Sequence, residues 1–341
     1  MSGRRFMVGS VPYLNAVPLT RWLETEQGRT YAEVRYAPPS QLARLLEARE
    51  IDVALVSTAE HFRRPETVFI PGLAIASFGE VLSVRLFSRV PIAQIRSVAL
   101  DTSSLTSSAL VQILLRKVYQ IEPTYRPMSP DLVSMLAECD SALLIGDKGM
   151  LALENLTPPP PLSASREGGV PSSPSPFTER GLGGEVKLAV SGEGSGVRAN
   201  LENLTPPPPL SASREGGVPS SPSPFTERGL GGEVKPETLT VLDLGAEWTR
   251  WTGLPFVWAV WLTNPEAGQE ALSELLHRAY QWGEANLDTL IAQSAEQMRI
   301  PQSLCERYLR QVMVYRIDAR FLQGLERFRQ EWSQLSFAEL N

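Results

Sequence analysis

The chain has 341 residues with 32 basic and 38 acidic side chains, a formal net charge of −6. It holds no basic block, so no nucleic-acid partner is expected, and no apolar run reaches spanning length, so no membrane insertion is expected. Two distant cysteines without a CxxC spacing and only two histidines, His61 and His277, exclude a Cys/His metal centre and most histidine-based triads, so neither a metal nor a cofactor is expected. The apolar start is broken by Pro12 and Asn15 with no small-residue cleavage site behind it, which predicts a cytoplasmic protein.

In chain order, residues 6–11 form a short apolar run stopped by Pro12, as a buried strand does, and 19–26 read as a helix. Residues 41–49 place Leu42, Leu45 and Leu46 on one helical face and lead into a buried strand over 52–57. Residues 81–87 (VLSVRLF) alternate like a strand. A second set of the same units follows: a strand at 98–100, the hydroxyl-rich run 101–108 (DTSSLTSS), a helix over 109–119, another over 132–137, and a strand at 142–145 that ends in Gly146-Asp147. Strands at 239–244 and 256–262 precede helices over 266–291, 303–313 and 319–332. Strands alternating with helices predict an α/β fold with mostly parallel sheets, and two sets of units predict two lobes with a ligand cleft between them.

Residues 153–235 stand apart. They hold 14 of the 28 prolines and 13 of the 25 glycines, and residues 153–187 recur without one change at 201–235. Structural repeats diverge and carry an apolar period, and this one does neither. Four consecutive prolines and a Ser/Gly-rich remainder offer too little apolar surface to offset ordering entropy, so a disordered, duplicated insertion is expected here.

Ligands of open α/β sheets sit beyond the carboxyl ends of strands. That rule singles out residues 10–15, Ser57 and Thr58, residues 101–108, and Gly146 with Asp147. Hydroxyls at a helix start, beside free amides and the positive end of the helix dipole, suit a carboxylate or phosphate, and one or two of them also serve as a plain cap. Asn15, between Pro12 and Pro18, could orient a substrate or close an Asx turn. From the residues alone, the chain reads as a two-lobed binder of a small anion.

The opening run 9–19 (GSVPYLNAVPL) resembles the start of the chorismate dehydratase family of the futalosine route to menaquinone. The resemblance continues at 52–57 (DVALVS), 79–84 (GEVLSV), 143–147 (LLIGD) and 252–261 (TGLPFVWAVW), and takes in the chain outside 153–235, for which the family has no counterpart. It implies the fold of type 2 periplasmic binding proteins, with lobe one at 1–90 plus 257–341, lobe two at 91–256, and the insertion looping out of lobe two. The implied reaction removes water from chorismate to give 3-[(1-carboxyvinyl)oxy]benzoate. By position in the matching motifs, Asn15 and Ser83 would lie nearest the chemistry, with Ser10, Tyr13, Ser57, Thr58, Thr106, Ser107, Gly146 and Asp147 around the substrate. No base is evident, and the substrate's own enolpyruvyl carboxylate could serve. Two other readings share the fold. One is 1,4-dihydroxy-6-naphthoate synthase of the same route, which the SVPYLNA run argues against; the other is a non-catalytic anion-binding protein.

Overall fold

The computed structural model describes residues 5–156, 186–187 and 239–335. The chain opens with β1 (Phe6–Ser10), turns through α1 (Val17–Thr20), and adds β2 (Ala32–Tyr36), α2 (Pro39–Glu47), β3 (Val53–Ser57), α3 (Thr58–Arg63) and β4 (Val68–Ser77). It then crosses to a second set: β5 (Arg85–Ser88), β6 (Ser97–Asp101), α4 (Leu105–Lys117), β7 (Thr124–Met128), α5 (Leu132–Glu138), β8 (Ser141–Leu144), α6 (Gly146–Leu156), β9 (Val186–Lys187), β10 (Thr240–Asp243) and α7 (Leu244–Thr252). It returns through β11 (Phe256–Thr263), α8 (Gln269–Ala285), α9 (Leu287–Met298), α10 (Gln302–Arg307), β12 (Met313–Arg316) and α11 (Ala319–Trp332).

Two six-stranded sheets result, ordered β12-β4-β11-β3-β1-β2 and β7-β6-β8-β5-β10-β9. The expected parallel pairing holds for β1 with β2 and β3, and for β6 with β7 and β8. The remaining pairs are antiparallel, so both sheets are mixed. The cause is topological: β11 re-enters the first sheet between β3 and β4, and β5 runs between β8 and β10 against the direction of both. β3 reads VALVS and is buried along its whole length, as a strand covered on both faces requires. Trp22, Trp248, Trp261, Phe256 and Phe328 are almost fully enclosed in the core. Where α8 crosses α1, a Cβ on Gly283 would stand 1.9 Å from the carbonyl oxygen of Pro18, so only glycine allows that approach.

Several elements differ from the sequence expectation for identifiable reasons. The helix expected at 19–26 starts at Val17, because Pro18 fits a first turn, and tightens into a 3₁₀ turn over Arg21–Glu24. The strand expected at 81–87 begins only at Arg85; residues 81–84 form a turn instead. The helix expected at 303–313 widens into a π turn over Tyr308–Val312 and becomes a strand at Met313. β2, β7 and β12 are edge strands, where charged residues and Pro127 are tolerated and the alternating signal is lost. Of the insertion expected over 153–235, residues 153–156 continue α6 and Val186–Lys187 pair with β10. The rest of that expectation, including its disorder, lies outside the described residues. Among the described residues, no helix is long and apolar enough to cross a membrane.

Candidate functional site

The carboxyl ends of β1, β3, β6 and β8 converge on one cavity of about 60 Å³. Its polar lining is Tyr13, Asn15, Ser57, Ser83, Ser104 and Ser107, set among Leu55, Ile75, Val84, Trp258 and other apolar side chains. Among the described residues, no Asp, Glu, His, Lys or Arg lines it. At Ser57 and Ser104 the cavity adjoins a wider groove of about 580 Å³ lined also by Glu60, Arg63, Asp101 and Arg116.

Each polar group is placed by local structure. After β1, Pro12 and Tyr13 lead into a single 3₁₀ turn, Leu14–Ala16, which carries Asn15. The Asn15 amide nitrogen donates to the Tyr308 hydroxyl (3.2 Å), and that hydroxyl donates to Ser83 Oγ (2.8 Å). Asn15 Oδ1 is buried without a protein hydrogen-bond partner, and so is Ser57 Oγ at the end of β3. Buried polar atoms are normally paired, so these two stand out in the lining of the cavity.

Ser83 owes its position to an unusual turn. The Ser83 N–H donates to the Val81 carbonyl (2.7 Å), closing a γ-turn centred on Leu82 at φ +60, a region that L side chains avoid. Asp243 holds this turn: Oδ1 accepts from the Val81 N–H (2.9 Å) and Oδ2 from the Leu82 N–H (2.7 Å). The same carboxylate caps α7 through the N–H groups of Gly245 (3.0 Å) and Ala246 (3.1 Å).

The hydroxyl run at the start of α4 does not face one place, because successive helical residues point 100° apart. Ser104 caps the helix by accepting from the Ser107 N–H (3.3 Å), and its Oγ lies 3.1 Å from Ser107 Oγ; both line the cavity. Thr106 turns the other way and accepts from the Ala59 N–H (2.8 Å), while Thr58 donates to the Val257 carbonyl (2.7 Å). Those two threonines tie α3 to α4 and β11 and do not line the cavity. Ser10 is fully buried with its hydroxyl turned to the Val11 carbonyl. Thus, of the residues singled out from sequence, Tyr13, Asn15, Ser57, Ser83, Ser107 and Gly146 come together, and Ser10, Thr58, Thr106 and Asp147 stand behind them. Tyr308 is the partner that sequence reasoning missed, since a tyrosine in an amphipathic C-terminal segment reads as ordinary core.

Gly146 adopts φ +61, and a Cβ there would meet the Tyr13 ring at 3.2 Å, so glycine serves both the backbone and the ring packed on it. Beside it, Asp147 Oδ1 accepts from the Leu14 N–H (3.1 Å), fastening α6 to the turn that carries Asn15. Burial raises the Asp147 carboxyl to about 6, against the lowering effect of that N–H. The folded chain therefore takes up a proton that the unfolded chain releases near pH 4. This contribution to stability is complete below the unfolded value and is lost as the pH rises through 6. A shift of two pH units corresponds to about 3 kcal/mol. Asp147→Asn keeps an acceptor for Leu14 and cannot ionise. Urea unfolding at pH 4 and pH 7 should show the variant gaining on the parent by up to about 3 kcal/mol at the higher pH. A difference that ignores pH would contradict it. The Tyr308 phenol is also pushed far up by burial, so it acts as a neutral donor. Among the described residues, no group of three His, Cys, Asp or Glu side chains is placed to hold a metal ion.

A family model described as "Menaquinone biosynthesis" matches residues 6–159 and 228–334, passing over most of the duplicated stretch. Chorismate dehydratase of Thermus thermophilus is 27% identical over 308 residues, covering 90% of this chain and 88% of that protein. A structural-genomics protein from Archaeoglobus fulgidus superposes with a TM-score of 0.59 at 13% identity, covering 96% of this chain and 97% of the other. The periplasmic aliphatic sulphonate binding protein SsuA of Escherichia coli does so at 0.53 and 12% identity, over 98% and 88%. With a family match across most of its length and two mixed sheets meeting at a cleft, the chain belongs to the chorismate-dehydratase and menaquinone-biosynthesis family, built on the fold of the type 2 periplasmic binding proteins.

Proposed function

We propose that this chain is a chorismate dehydratase of the futalosine route, converting chorismate to 3-[(1-carboxyvinyl)oxy]benzoate and water. The observation that carries the proposal is a cavity with Asn15 and Ser83 joined through Tyr308 and, among the described residues, no side chain of a usual general base in its lining. Dehydration of chorismate suits such a place. The ring carboxylate acidifies the C3 hydrogen through the conjugated double bonds, and loss of the neighbouring C4 hydroxyl produces an aromatic ring. The C3 proton and the C4 hydroxide together make up the departing water. With aromatisation driving the reaction, the protein has to orient the ring and stabilise developing charge, which neutral donors in a dry site do well.

The substrate's enolpyruvyl carboxylate serves as the base, held over C3 by the enclosing walls. Ser104, Ser107 and the first amides of α4 receive one carboxylate at the positive end of a 13-residue helix. Asn15 holds the hydroxyl-bearing edge of the ring and Ser83 donates to an oxygen beside it.

The test is direct. Purified protein incubated with chorismate, with no metal or cofactor added, should yield the aromatic product over many turnovers, followed by proton NMR. Binding without turnover would favour an anion-binding protein, and no interaction would overturn the proposal.

A further inference from the structure

A single phenol proton decides which way the hydrogen bonds of the site run. The Tyr308 hydroxyl is one donor and one acceptor within a fully buried surrounding. Its oxygen accepts from Asn15 Nδ2 at 3.2 Å, and its only proton goes to Ser83 Oγ at 2.8 Å. With Nδ2 committed, the Asn15 amide exposes Oδ1, the atom that no protein group satisfies. With a lone pair committed, Ser83 has its own proton left to give.

We propose that Tyr308 is a positioning residue that sets this polarity, so that Asn15 Oδ1 is offered as an acceptor and the Ser83 hydroxyl as a donor. The ligand that fits is a ring with two neighbouring oxygens of unlike character: a hydroxyl that donates to Asn15 and an ether or carboxylate oxygen that accepts from Ser83. A ring carrying two adjacent ethers satisfies the Ser83 side only, because it has no proton to give Asn15. Tyr308 is brought to this point by the π turn over Tyr308–Val312, which interrupts the helical run from α10 just before β12. Single π turns of this kind often occur at functional sites. The three residues come from distant parts of the chain, 225 and 293 positions apart, so no local motif encodes the relay.

The kinetic arm rests on the proposed dehydration; a second arm does not. Tyr308→Phe keeps the ring and removes the relay. It should lower kcat for chorismate by about 10²-fold with a much smaller change in KM. In a Ser83→Ala background, the same change should cost no more than about threefold, because residues that act as a unit are not additive. Tyr315→Phe serves as the control. Its hydroxyl is equally buried and has no partner, so kcat should stay within about twofold. An unchanged kcat in Tyr308→Phe, equal losses in both backgrounds, or an equal loss in Tyr315→Phe would overturn the assignment.

The second arm needs no turnover. In ¹⁵N-labelled protein without ligand, the Asn15 side-chain amide resonance should move in Tyr308→Phe and hold its place in Tyr315→Phe. An Asn15 amide indifferent to Tyr308 would sink the relay whatever the kinetics. If the unaltered chain leaves chorismate untouched, the dehydratase proposal falls and the amide arm alone decides on Tyr308.

Discussion

Asn15→Ala should lower kcat for chorismate by about 10²–10³-fold, the range seen when one preorganised polar group is removed from a reacting centre. The fold should hardly notice. The substitution gives up one 3.2 Å hydrogen bond to Tyr308, and it also removes a buried carbonyl oxygen that has no protein partner. Leaving such an acceptor unpaired costs about as much as a hydrogen bond contributes, so the two effects oppose each other and the midpoint of thermal unfolding should stay close to the parent's. Activity and stability would then separate at one position, as expected where a group is kept for a ligand and not for the fold. Progress curves and a melting curve on the same preparation check both halves. Unchanged turnover would remove Asn15 from the mechanism.

The second large effect lies outside the cavity, at Asp243. One carboxylate accepts four N–H groups, two in the Val81–Leu82 turn and two at the start of α7. Asp243→Ala leaves all four without an acceptor in a buried place and releases a Leu82 backbone held at φ +60. The loss should be about 4 kcal/mol in urea unfolding, among the largest single-residue effects. Asp243→Asn divides the two jobs. Its remaining oxygen, placed as Oδ1, still serves Val81, Gly245 and Ala246, while its NH₂ faces the Leu82 N–H. Most of the stability should return, and turnover should remain depressed because the turn presenting Ser83 is no longer held. Equal recovery of both would show that the turn does not matter to Ser83.

Much of this was legible in the chain because the signals were local. Buried runs such as VALVS at 53–57, and a helix opening at a cluster of hydroxyls, are readable from a few neighbouring residues, and they located one side of the cavity. The opening GSVPYLNA run supplied Asn15, and the 79–84 run supplied Ser83, by family resemblance and not by physical necessity. What escaped depended on distance. The alternation of VLSVRLF at 81–87 has the period of a strand, yet a carboxylate 160 residues away bends its first half into a γ-turn. Six hydroxyls at 102–108 looked like one anion site, but helical geometry sends Thr106 into the packing against α3 while Ser104 and Ser107 face the cavity. Tyr308 carries no motif at all. Its proposed role exists only once the π turn has packed against the Leu14–Ala16 turn that carries Asn15.

The place of β10 in its sheet also bears on how the chain tolerates so long a stretch between α6 and β10. β5, β6, β7 and β8, the strands that build the second sheet outward from its centre, are all complete by Leu144. Everything between α6 and β10 is synthesised after these four strands, and only β10 with its short neighbour β9 joins the sheet from later in the chain. The entropy of closing a loop grows only with the logarithm of its length. Even counted as free chain, lengthening the connection from roughly 15 residues to roughly 80 costs only about 1.5 kcal/mol. A duplication placed between β6, β7 and β8 would lengthen the loops that their parallel pairs have to close. Where it stands, it follows β5, β6, β7 and β8 in the chain and interrupts none of their connections.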